Sequence, residues 1–148
     1  MDLIEKLNLE NNKRITWDEY FIALSKLISL RSPSNKLKVG SVIVKDKRVI
    51  SSGYNGFPSG MDHKSIHKDG HEVNTIHAEI NSITDAAKRG VSIDHTEMYV
   101  THFPCLNCTK SIIASGIKKV IYLNDYNNDE IAINMLTDAN ILVKKIFR

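Results

Sequence analysis

The chain has 148 residues, 42% of them hydrophobic and 25% charged, with a formal net charge of +3. That length fits one domain able to bury a core, and the composition excludes collagen, coiled coil, disordered tail and disulfide scaffold. The basic and acidic residues are spread along the whole chain, so no concentrated basic face argues for nucleic acid, and no run reaches the ~18–20 apolar residues of a membrane helix.

Residues 1–13 mix acids into apolar positions and read as an N-terminal extension rather than a signal or transit peptide. Thr16 and Glu19 then form a capping box ahead of Trp17, Tyr20, Phe21, Leu24, Leu27 and Ile28. That spacing predicts a helix with one apolar stripe, its three aromatic residues in the core. Arg31 to Lys38 reads as a loop. Val39–Lys45 and Arg48–Tyr54 are β-rich runs joined across Asp46-Lys47, which predicts a hairpin.

Gly53 to Thr75 is polar and turn-rich, and a structureless loop of that length tends to be functional. A second helix is expected from about Ile76 to Arg89, with Ile76, Ile80, Ile83 and Ala87 on its apolar face and Gly90 as its stop. Met98–Thr101 reads as a strand. Pro104 opens a third helix ending near Gly116, Val120–Leu123 is a strand, Ile131–Ala139 is helical, and Ile141–Phe147 closes the chain as a strand. Strands alternating with helices in the second half imply parallel pairing, with the hairpin as an antiparallel edge. The expected fold is a single α/β domain over residues 1–148, a three-layer α/β/α sandwich around a five-stranded mixed sheet.

The two cysteines, Cys105 and Cys108, stand three residues apart. A disulfide between them would staple nothing, so a reducing cytoplasm, with the pair as metal ligands or a redox couple, is the better starting point. Pro104-Cys105-Leu106-Asn107-Cys108 and His77-Ala78-Glu79 both fall at expected helix starts, where free N–H groups and the helix dipole favour thiolates. Two thiolates and an imidazole suit Zn²⁺ with a fourth position left for water. Such an ion brings the pKa of its water to about 7, and Glu79, not itself a ligand, is placed to shuttle protons. H-x-E followed by P-C-x-x-C is the pattern of zinc nucleobase deaminases. The competing explanation, a structural zinc site, needs a fourth ligand from His63, His67, His71, His95 or His102. A redox pair leaves Glu79 and His77 unexplained.

With these motifs the chain resembles the deoxycytidylate (dCMP) deaminases of the cytidine deaminase superfamily, from about Trp17 to Phe147. The resemblance extends through Trp17-Asp18-Glu19-Tyr20-Phe21, Arg31-Ser32, Val39 to Val44, Gly53-Tyr54-Asn55-Gly56-Phe57-Pro58, Gly70 to Glu79, and Tyr99 to Cys105. Ser41, Ile80 and Ser82 depart from the usual family residues without touching the chemistry. The resemblance implies a homo-oligomer, with a hexamer favoured, that deaminates dCMP to dUMP and is activated by dCTP and inhibited by dTTP. It implies zinc on His77, Cys105 and Cys108, with Glu79 as general acid and base. Asn55 would bind the sugar or base edge, although Asn is equally a turn residue, and the Ala78 N–H would bind the pyrimidine 2-oxo group. Arg31, Ser32 and Lys36 are phosphate candidates, and Tyr126 would close over the nucleotide. Gly53, Gly56, His71 and Lys88 are possible effector contacts. A deaminase acting on RNA or single-stranded DNA would share the zinc residues but should add basic and aromatic stacking groups. A non-catalytic zinc module would have no use for Glu79. Neither nucleic acid nor membrane is an expected partner.

Overall fold

The computed structural model describes Glu5 and residues 13–147, so most of the N-terminal extension lies outside the described residues. Helix α1 (Trp17–Ser29) leads into strands β1 (Gly40–Lys45) and β2 (Arg48–Tyr54). A short pair, β3 (His67–Lys68) and β4 (His71–Glu72), precedes α2 (Ala78–Arg89). Then come β5 (Glu97–His102), α3 (Leu106–Ala114), β6 (Lys119–Asn124), α4 (Glu130–Asp138) and β7 (Leu142–Lys145). The main sheet has five strands in the order β2-β1-β5-β6-β7. Strand β1 pairs antiparallel with both β2 and β5, while β5, β6 and β7 run parallel. The mixed sheet and its antiparallel hairpin agree with the sequence reading. The hairpin turns on Asp46 and Lys47, both at positive φ (51° and 62°), as the right-handed twist of paired strands requires of a two-residue connection.

Alternation along the central strands divides the core into two layers. Val42, Val44, Tyr99, Ile121 and Leu123 face α1, where they meet Phe21 and Ile22. Ile43, Met98, Val100, Val120 and Tyr122 face the other way, onto Ala86 of α2, Ile112 of α3, and Ala132 and Leu136 of α4. The capping box at Thr16 and Glu19 is closed in both directions, at 3.1 and 3.0 Å.

Several expectations need correction. Of the three aromatic residues on α1 only Phe21 is buried; Trp17 and Tyr20 are 43% and 42% exposed. The buried face is Phe21, Ile22, Ser25 and Ser29. Serine lies there because β1 comes too close for anything larger: a Cβ on Gly40 would overlap the Ser25 carbonyl oxygen and stand 2.7 Å from the Ser29 nitrogen. The serine hydroxyls donate back to Ile22 and Lys26 within the helix. The same effect centres the fully buried face of α2 on Ala78, Glu79, Ser82 and Ala86, while the expected Ile83 packs half-buried against the core and Ala87 is exposed. Here a Cβ on Gly53 would lie 2.6 Å from the Ser82 nitrogen and 2.8 Å from the Ala78 oxygen.

Helix α2 begins at Ala78 rather than Ile76, because Ile76 is held in an antiparallel bridge with Gly56. The long loop is interrupted by the β3–β4 pair, which turns at Asp69 and Gly70, both at positive φ. The last strand is shorter than expected and exposed throughout, with Ile146 buried just beyond it.

Candidate active site

Two helix starts meet beside the main sheet. His77 is the N-cap of α2 and Cys105 the N-cap of α3, and neither side chain makes a capping hydrogen bond. Both are thereby left for another partner. The His77 Nδ1 lies 3.5 Å from Cys105 Sγ and 3.3 Å from Cys108 Sγ. One ligand atom from each of the three residues falls within 4.8 Å of the others, and they form the one such metal-capable group among the described residues. Tetrahedral zinc with Zn–S near 2.3 Å and Zn–N near 2.0 Å requires N to S separations of about 3.5 Å. The donor set therefore fits Zn²⁺ in both kind and spacing, and no further histidine joins it among the described residues.

The triad is electrostatically coupled. Hydrogen bonds from Cys108 and His77 draw the Cys105 thiol down to about 4, and the same bond to Cys105, together with burial, pushes Cys108 up. The Cys105 hydrogen bond also raises His77. Glu79, two residues beyond His77, is 4% exposed, and burial pushes its carboxyl above the ordinary range.

These residues border a cavity of about 220 Å³. Of the residues expected at the site, it brings together His77, Ala78, Glu79, Cys105, Asn55, Lys36 and Tyr126, with Cys108 buried behind them. Arg31 and Ser32 do not line it. Arg31 is exposed, and the buried Ser32 hydroxyl donates to the Asn55 carbonyl at 2.7 Å. Asn55 is not at positive φ; its amide instead clamps the approach to β1, accepting from the Val39 N–H and donating to the Leu37 oxygen, both at 2.8 Å. Gly53 and Gly56 lie outside the cavity and serve close packing. His71 and Lys36 border a second cavity of about 540 Å³, while Lys88 is exposed on the last turn of α2.

Sequence reasoning gave no binding role to Phe103 and Glu72, and weighed His102 only as a fourth ligand of a structural zinc site; all three line the site cavity. His102 had a usable signal: it ends a central strand three residues before Cys105, and ligands of α/β sheets gather at carboxyl ends of strands. A larger cavity of about 800 Å³ opens at the opposite end of the β1–β2 hairpin, beside Trp17 and Tyr20. It holds none of the metal-ligating residues, so the chemistry belongs to the smaller cavity.

Comparison with known proteins agrees with this geometry. The family model described as the cytidine and deoxycytidylate deaminase zinc-binding region matches residues 15–124. ComE operon protein 2 of Bacillus subtilis (strain 168) is 44% identical over 138 residues, covering 90% of this chain and 73% of its own length. Deoxycytidylate deaminase of Schizosaccharomyces pombe is 33% identical over 156 residues, and the alignment takes in 96% of this chain but 48% of that one, so the chain spans about half of the yeast protein. The crystal structure of dCMP deaminase from the cyanophage S-TIM5 in complex with dCMP and dUMP superposes with a TM-score of 0.79 at 35% identity, covering 86% of this chain and 95% of that chain. The zinc-ligand geometry, the sheet that carries it and the match along most of the sequence converge: the chain belongs to the cytidine and deoxycytidylate deaminase family.

Proposed function

We propose that this chain hydrolyses dCMP to dUMP and ammonia. The observation that carries the reading is the buried Glu79 carboxyl standing beside three residues placed to hold a metal, on a cavity of about 220 Å³. Likeness to a deaminase solved with dCMP and dUMP supplies the substrate class. Zn²⁺ on His77, Cys105 and Cys108 supplies Lewis acidity that makes water nucleophilic at neutral pH.

The remaining work falls to the chain's own groups. Glu79 takes a proton from the attacking water and delivers it to ring N3. As the C4–N bond breaks and the C4 carbonyl forms, the second proton of the water passes through the same carboxyl to the departing amine. Burial, which raises this carboxyl above the ordinary range, favours its holding the proton between the two transfers. The Ala78 N–H, in the first turn of α2, is assigned to the 2-oxo group. Asn55 shapes the sugar-side wall through its clamp on Leu37 and Val39, and Tyr126, 50% exposed, is the side chain assigned to cover the nucleotide.

The reading extends to regulation and assembly. The second cavity supports activation by dCTP and inhibition by dTTP, because it shares Ser34, Lys36, Glu72 and Thr75 with the first and adds His63, His67 and His71. Exposed Leu27, Leu30, Ile131 and Leu142 support a homo-oligomer, a hexamer in this proposal, since they leave apolar surface to be covered. Closely spaced reduced cysteines support a cytoplasmic setting. No helix among the described residues is long and apolar enough to cross a membrane.

The test is loss of cytosine absorbance when the zinc-loaded protein meets dCMP, CMP, deoxycytidine or dCTP. Turnover of dCMP in preference to the others is expected. Failure to deaminate dCMP, with zinc bound, overturns the proposal.

A further inference from the structure

The sequence left the partner of the substrate phosphate among Arg31, Ser32 and Lys36. Only Lys36 reaches the cavity, and a flexible lysine gives charge without direction. The directional donor is found elsewhere, and its chemistry follows from a neighbour.

Thr101 is fully buried. Its Oγ1 accepts the Gly40 N–H at 3.1 Å and lies 2.8 Å from His102 Nδ1. The hydroxyl has one proton, and no other acceptor takes it among the described residues. That proton must therefore go to Nδ1, for otherwise it would be stranded in the core. His102 is then a neutral imidazole carrying its own proton on Nε2. Burial and the charge of Lys26 both hold the ring neutral.

The strand end is firmly placed. Asn124 donates to the Thr101 carbonyl at 3.1 Å and accepts the Phe103 N–H at 3.0 Å. The ring meets Tyr126 edge to face, with centroids 6.0 Å apart, and both residues line the site cavity.

The carboxylates on the cavity are occupied. Glu72 accepts from the backbone of Ile66 and Asn74, and Glu79 serves the reacting atoms in the proposed mechanism. Lys36 has no ion pair among the described residues. Glu72 is further committed to His67 at 3.7 Å, so the cavity offers a cation without an ion pair among the described residues and a fixed N–H donor, which is the chemistry that receives a phosphate dianion.

We infer that His102 donates its Nε2–H to the 5′-phosphate of the substrate, with Lys36 supplying charge, and that this donor makes the enzyme prefer a nucleotide to a nucleoside. The inference rests on the proposed dCMP reaction and adds a specificity-determining residue to it.

The test compares zinc-loaded wild type, His102→Leu and His102→Gln on dCMP and deoxycytidine, with zinc content as a control for the integrity of the site. Calorimetric titration with deoxyribose 5-phosphate serves as a readout independent of turnover. In His102→Leu the ratio of kcat/KM for dCMP over deoxycytidine should fall on the order of 10- to 100-fold, through KM, as expected for one lost hydrogen bond to a charged group. Deoxyribose 5-phosphate should weaken by a similar factor, and His102→Gln, which keeps an N–H donor, should recover part of both. An unchanged ratio with normal sugar-phosphate binding overturns the inference while leaving dCMP deamination intact. Equal loss on both substrates, through kcat, also overturns it and makes His102 a prop for the metal centre. A wild type that ignores dCMP fails the parent reading and this one together.

Discussion

Gly53→Ala is a demanding test of how the catalytic helix is held. Its methyl group would stand 2.6 Å from the Ser82 nitrogen, 2.8 Å from the Ala78 oxygen and 2.9 Å from the Asn81 Cβ. Two of these are backbone atoms and cannot rotate away. Ordinary contact begins near 3.4 Å, so α2 has to retreat from β2 by roughly 0.6–0.8 Å. The retreat strains the bonds that fasten helix to strand: Ser51 to the Ser82 carbonyl at 2.5 Å, Ser41 to Ser82 at 3.0 Å, and Asn81 to the Tyr54 carbonyl at 2.9 Å. Overpacking of this kind costs about 1–3 kcal/mol, which for a chain of this size lowers Tm by roughly 3–10 °C.

Activity should suffer more than stability. Ala78 and Glu79 ride on the first turn of α2, and displacement of a catalytic group by nearly 1 Å costs on the order of 10²-fold in rate. The assay pairs thermal denaturation with kcat/KM for dCMP on protein of verified zinc content. A variant as stable and as active as wild type would refute the account of α2 resting on Gly53. Normal basal activity with lost response to dCTP would instead give Gly53 the effector role that the family resemblance implies.

Other substitutions probe the site and its supports. Glu79→Ala should keep zinc and fold while losing ~10²–10⁴-fold in kcat; loss of the metal would show that a ligand had been taken for an acid. Cys105→Ser should lose zinc, measured by atomic absorption, and with it the stabilisation that a bound ion contributes. Asn55→Ala removes both arms of the clamp on Leu37 and Val39 and should cost about 1–3 kcal/mol in urea denaturation, with a raised KM for dCMP. Asp18 is subject to burial, which raises it, but hydrogen bonds from Lys144 and Tyr99 outweigh burial and hold its carboxyl below the ordinary value. A depressed carboxylate contributes in full above its unfolded pKa of about 3.9, and that contribution is lost as pH falls through the lower folded value. Asp18→Asn should therefore flatten the acid limb of stability measured from pH 6 to pH 3; an unchanged limb would refute the assignment.

The metal-holding set of His77, Cys105 and Cys108 was legible because its spacing is local: two short motifs, each at a helix start, carry it within a few residues. Element order was legible for a similar reason, since alternation along β1, β5 and β6 matches the two layers. The faces of α1 and α2 were not. Periodicity assumes that large apolar side chains mark the buried stripe, whereas here two glycines bring strand backbone onto helix backbone, so Ser25, Ser29, Ala78 and Ser82 are buried and Trp17 and Tyr20 are left outside. Asn55 was hard to judge because its partners, Leu37 and Val39, lie on a different loop. The role inferred for His102 depends on a proton belonging to Thr101, whose whereabouts is decided by Gly40, distant in sequence.

The two N-caps that carry ligands have a thermodynamic consequence. A helix that begins on a residue making no capping bond forgoes about 1 kcal/mol of end stabilisation, and both α2 and α3 begin that way. Zinc held by His77, Cys105 and Cys108 ties those two beginnings to one another across the sequence between them, acting as a clasp shared by both helices. Metal loading and the setting of the helix starts are therefore one event. The zinc-free protein should keep its sheet and α1 while the first turns of α2 and α3 fray together, and amide exchange at Glu79 to Asn81 and at Cys108 to Lys110 should report the arrival of the ion before any substrate is added.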